Sequence, residues 1–116
     1  MTKNEHREDI MSEPITEVVF RVWPKSEGGD VIALFPYDHA HDYYCTGYET
    51  VGQHGAADFH GVVSRTRLAK PAEYVALKSE LESIGYCLKV IKRVNHERQM
   101  TAFENHERQM TAFDKR

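Results

Sequence analysis

Cysteine is scarce in this chain. Of 116 residues only Cys45 and Cys87 carry thiols, and they form no Cys-x-x-Cys pair. That excludes a zinc ribbon and a dense disulfide framework, and two free thiols predict the reducing cytoplasm. A positive surplus is also missing, since the formal charge is −3 with 15 basic and 18 acidic side chains. Chains that live on phosphate contacts carry the opposite balance, so nucleic acid is not the expected partner. No apolar run approaches the roughly 18 residues of a membrane span, and the polar stretch Met1 to Glu13 lacks the apolar core of a signal peptide. The sequence therefore predicts no membrane partner. It also spells out no recognised catalytic motif and implies no cofactor.

What is present is an ordinary globular composition, 41% hydrophobic and 28% charged, in a length that suits one domain. Residues 1–14 are charged, poor in large apolar side chains and end at Pro14, which predicts a disordered leader. From Thr16 to Trp23, Val18, Phe20 and Val22 share one face while Glu17 and Arg21 alternate with them, the period of a half-buried strand. Pro24 to Gly29 makes a turn, and Asp30 to Phe35 is apolar on both faces, as a central strand would be. A polar loop, Tyr37 to Asp42, leads to a third strand at Tyr43 to Val51, ended by Gly52. Ala56 to Arg65 reads equally as a short helix or as an extended segment.

Pro71 to Ile84 is the clearest helix. Proline suits its first turn, Tyr74, Leu77, Leu81 and Ile84 form one stripe, and Gly85 stands where helices commonly stop. Tyr86 to Arg93 returns to an extended pattern. The expected architecture is a single α+β domain over residues 15–94, a mainly antiparallel sheet of about four strands with one main helix on one face. Residues 95–116 hold a tandem copy, Asn-His-Glu-Arg-Gln-Met-Thr-Ala-Phe at 95–103 and again at 105–113. Ten residues of helix make about 2.8 turns, so the two copies share no single apolar face and a flexible tail is expected.

The stretch Val51-Gly52-Gln53-His54-Gly55-Ala56-Ala57-Asp58 is the densest gathering of glycine, histidine and acid. Glycines on either side of Gln53-His54 allow a sharp turn presenting both side chains, with Asp58 orienting the imidazole. Ser64, Arg65, Thr66 and Arg67 offer two guanidinium groups and two hydroxyls, able to hold a carboxylate or phosphate if they converge. Gln53, His54, Asp58 and Arg65 are accordingly the candidate ligand-binding residues. Asp38-His39-Ala40-His41-Asp42 supplies imidazoles two apart with flanking carboxylates, a donor set that zinc, nickel or copper accepts. Its loop and the one after the third strand are expected about 25 Å apart, at opposite ends of a strand of about eight residues, so no metal centre is predicted.

With Val19-Phe20-Arg21, Val31-Ile32-Ala33-Leu34-Phe35-Pro36 and Ile84-Gly85-Tyr86, the Val-Gly-Gln-His-Gly-Ala-Ala-Asp block resembles a family of small, uncharacterised bacterial proteins. The resemblance runs from about Thr16 to Arg93 and implies a bacterial origin. The functional expectation is a non-enzymatic cytosolic binding or accessory module taking a protein or a small anionic ligand. The alternative is a small metal-assisted hydrolase using His39, His41 and Asp42 with His54 or Asp58.

Overall fold

Val18, Val19, Phe20 and Val22 follow one another in strand β1, Thr16–Val22, and all are almost fully buried. A strand buried on both faces lies inside a sheet, and the computed structural model puts β1 there. The structure describes residues 15–41, 44–49 and 53–114, excepting the side chains of His41, Gln53 and residues 106–114. The leader expected over 1–14 lies outside the described residues.

Strand β2, Val31–His41, pairs antiparallel with β1, joining Val19 to Leu34 and Val22 to Val31. Strand β3, Tyr44–Glu49, and strand β4, Gln53–Ala57, continue antiparallel on the far side of β2. Helix α1, Phe59–Arg65, leads to the short strand β5, Arg67–Leu68. Helix α2, Pro71–Ser83, leads to β6, Leu88–Val90, and helix α3, His96–Asp114, closes the described chain. The order is β4-β3-β2-β1-β5, with β6 also on β1. The outer side of β1 is thus divided: β6 runs parallel along Thr16 to Val18, and β5 antiparallel along Arg21 and Val22.

The domain is α+β as the pattern implied, but its sheet is mixed and has six strands rather than about four. Both faces are covered. On one, Val18, Phe20, Ala33, Phe35 and Tyr48 pack against Leu77 and Leu81 of α2. On the other, Val19, Ile32, Leu34 and Cys45 pack against Phe59 and Val62 of α1 and Phe103 of α3.

Phe103, 2% exposed, corrects the expectation of a flexible tail from residue 95. The start of α3 is tied to the sheet. Asn95 donates its backbone N–H to the Tyr37 hydroxyl, and its side-chain oxygen accepts from the Arg98 N–H as an N-cap. Arg98 pairs with Glu17 at 2.5 Å and lies 3.9 Å from the centre of the Tyr37 ring. Along one helix the two tandem copies do face different ways, but docking needs only the first, through Phe103.

Two other local expectations change. Ile84 leaves the α2 stripe and is 54% exposed, because the helix ends in a Schellman turn. Tyr86 N–H bonds the Leu81 carbonyl, Gly85 N–H the Glu82 carbonyl, and Gly85 takes φ 115°. Tyr86 then fills the layer instead, stacked on Phe35 with ring centres 5.1 Å apart. Arg21, expected to face solvent, caps the end of α1 by donating to Thr66 Oγ1 and to the Val63 and Thr66 carbonyls. A guanidinium suits the negative end of a helix dipole, while burial lowers the pKa of this one.

Candidate functional site

Within the glycine-histidine block, Gln53 to Ala57 form a strand, while Val51 and Gly52, where the expected turn begins, lie outside the described residues. Gln53 to Ala57 pair in unbroken register with Glu49 to Cys45, which sets Gly55 directly opposite Gly47. On the α1 side of the sheet two neighbouring positions therefore carry no side chain, and the apolar layer is interrupted. A depression of about 340 Å³ opens there, bordered by Trp23, Ile32, Glu49, Asp58, Val62 and Arg65. Its floor is of two kinds. A methyl on Gly47 would lie 3.2 Å from the Ala57 Cβ, whereas one on Gly55 would meet no atom within 4 Å.

Arg65, in the last turn of α1, stands with its guanidinium carbon 5.3 Å from the centre of the Trp23 ring. Its Nε donates to the Gly61 carbonyl at 3.1 Å, which leaves the Nη groups as the donors a ligand would meet. The wall is therefore a flat cationic and aromatic surface. Asp58, the residue before α1, places its carboxylate over Gly61, and Glu49 adds a second carboxylate to the rim.

Of the four sequence candidates, Asp58 and Arg65 come together in this depression. Gln53 opens β4 opposite Glu49, and its side chain lies outside the described residues. His54 contributes to the depression's border, but its ring belongs to the opposite face. There Nε2 lies 2.8 Å from the Tyr86 hydroxyl, and the ring packs on Tyr48 with centres 4.7 Å apart. The expected orientation of His54 by Asp58 is thus replaced by a bond to Tyr86, because Asp58 lies beyond the end of β4, where the chain turns into α1 on the other side of the sheet. Tyr48 in turn donates to Glu80 of α2 at 2.5 Å. That bond holds the phenol proton and raises the Tyr48 pKa; burial and the nearby charge of Asp38 raise that of Tyr86. Both phenols stay protonated at neutral pH, so this chain of polar groups ties β3 and β4 to α2. Tyr48, Glu80 and Tyr86 gave no local signal as a group, being far apart in sequence.

The Asp38 to Asp42 string is not a loop up to His41, since β2 runs through it with two shifts of register. Its His39 ring lies 5.1 Å from Phe103, on the α1 and α3 face, while His54 lies on the α2 face. His39 pairs with Cys45 and His54 with Tyr48, only three residues apart along β3 and so about 10 Å by strand rise. The sheet itself, rather than the expected 25 Å, separates these imidazoles. Asp42 and the His41 side chain lie outside the described residues. Among the described residues no three His, Cys, Asp or Glu side chains gather in a ligand set.

Ser64 to Arg67 do not converge. Ser64 bonds the Gly61 carbonyl and Thr66 the Val62 carbonyl, while Arg67 forms a two-pronged bond to Glu73 at 2.9 and 2.6 Å. Cys45 is fully buried, and burial pushes its thiol pKa up to about 12, far from a reactive thiolate. Cys87 is exposed. Among the described residues no helix is long and apolar enough to cross a membrane. No protein-family model, curated protein or solved structure matches the chain.

Proposed function

We propose that the chain is a non-enzymatic binding module of the bacterial cytosol, and that it takes a small planar ligand with an anionic group in the depression beside β4. The observation that carries this reading is the gap at paired Gly47 and Gly55 beneath a wall formed by Arg65 over Trp23. A flat ring fits against a sheet surface that lacks side chains, and a carboxylate or phosphate takes the Arg65 Nη donors. Glu49 and Asp58 on the rim disfavour a second negative charge and favour N–H groups at the ligand's far side. Binding here needs no nucleophile and no metal.

Trp23 is the chain's only tryptophan, so its fluorescence reports the site directly. Titration with benzoate, with an aromatic phosphate and with the uncharged amide of benzoate supplies the test. The expected result is saturable quenching by the anions, weakened about tenfold in Arg65→Ala, a loss of about 1.4 kcal/mol. Equal response to the amide and the acid, or an unchanged midpoint in Arg65→Ala, would remove the reading.

A further inference from the structure

Strand β4 forms one end of the sheet and pairs with β3 alone among the described elements. Edge strands expose a row of free N–H and C=O groups, and proteins blunt them with lysine, proline, bulges or brevity. β4 has none of these. It reads Gln-His-Gly-Ala-Ala over five residues in unshifted register, without charge or proline, and residues 54–56 are exposed. The other edge is blunted by brevity and charge: β5 has two residues and β6 three, with Arg67 and Lys89 inside them and Lys70, Lys92 and Arg93 close by in sequence.

We propose that β4 pairs antiparallel with β4 of a second copy of this chain, about a twofold axis through Gly55. The strand is complementary to itself in that register. Gln53 stands opposite the partner's Ala57, His54 opposite the partner's Ala56, and Gly55 opposite its own image. Each large residue meets a small one and no like charges face each other. Such a contact is isologous and closes at two copies. The same register applied at the basic edge sets cations against cations. Because Gly55 and Ala57 lie on the α1 side, the pair brings both depressions to the same face of one continuous sheet, one on each side of the axis. A contact of five residues buries less than a standard interface, so the dimer is a weak one.

The chain is followed by sedimentation and light scattering from about 10 µM to 1 mM, the range in which small interfaces associate. The expected result is a mass rising from one copy toward two. Gly55→Glu and Gly55→Lys each set like charges against themselves on the axis and should stay monomeric, while their equimolar mixture should recover the dimer. A Cβ at Gly55 meets nothing within 4 Å in the single copy and the position is exposed, so these substitutions are expected to spare the fold, which circular dichroism checks. Should either variant fail to fold, amide exchange of the unmodified chain decides, with residues 54–56 gaining protection as concentration rises. A monomer at every concentration, variants that associate like the parent, or a mixture that stays monomeric overturns the proposal. Protection that is strong but independent of concentration overturns it too, since another segment of the same chain would then cover the edge. No ligand is added, so this result stands or falls separately from the binding reading.

Discussion

Across the α2 face, rings fill the space between strands and helix: Phe20 stacks on Tyr74 at 4.5 Å, Phe35 on Tyr86 at 5.1 Å, and Tyr48 reaches Glu80. Across the α1 and α3 face the same strands leave a gap, because Gly47 and Gly55 lie on that side while their neighbours Tyr48 and His54 point to the other. One pair of strands thus makes a filled layer and an open one simply by alternating large residues with glycine. Each face has its own buried core, and the open one also has room for a ligand.

The open face depends on α3 for its core. Phe103→Ala should cost about 3–5 kcal/mol, and Leu81→Ala, its counterpart on the α2 face, about 2–5 kcal/mol. Both are read from urea unfolding. A Phe103→Ala protein as stable as the parent would return residues 95–116 to the status of a tail.

The two glycines of the gap differ in what surrounds them. Gly47→Val forces atoms against Ala57 and the Ala33 carbonyl and should cost about 1–3 kcal/mol. Gly55→Val enters open space and should change stability by less than about 0.5 kcal/mol. Equal effects at the two positions would mean that the depression is not shaped as described.

A smaller effect lies outside both layers. Two bonds from Arg67 and one from the Lys70 backbone N–H hold the Glu73 carboxyl down to about 2 from 4.5. A carboxyl whose folded pKa lies below its unfolded value stabilises the fold above 4.5 and loses that contribution as pH falls toward 2. The melting temperature of Arg67→Ala should therefore lie below the parent's at neutral pH and converge on it in acid. A gap that persists at pH 2 would assign the loss to packing rather than to charge.

The two thiols probe the layers without altering stability. At mildly alkaline pH, maleimide should label Cys87 in the folded protein and reach Cys45 only after unfolding, since burial holds that thiol protonated up to about 12. Mass spectrometry counts the labels, and a doubly labelled native protein would show the open face to be loosely packed.

Local pattern was enough for the elements whose signal lies within a few residues. Val31 to Phe35, apolar on every position, forms part of a strand buried on both faces, and Pro71, Leu77, Leu81 and Gly85 mark a helix with its start, stripe and stop. The candidate site was half legible: Asp58 and Arg65 share the depression, but nothing near them announces Trp23 or Glu49 as its other walls. Gln53 and His54 suggested a turn because flanking glycines are the strongest turn signal available. From Gln53 to Ala57 pairing with β3 wins instead, since hydrogen bonds along an existing strand satisfy a backbone that Gly55 leaves free to adopt either conformation.

Which residues are apolar, at what period they recur and where the chain can reverse can all be read along the chain, because these are properties of neighbours on the backbone. That Arg21 caps α1, that the first tandem copy docks through Phe103, and that His54 turns to Tyr86 rather than to Asp58 follow from the assembled fold. Those outcomes depend on strand partners and on register, and a shift of one residue in register exchanges the two faces without changing a single letter of the sequence.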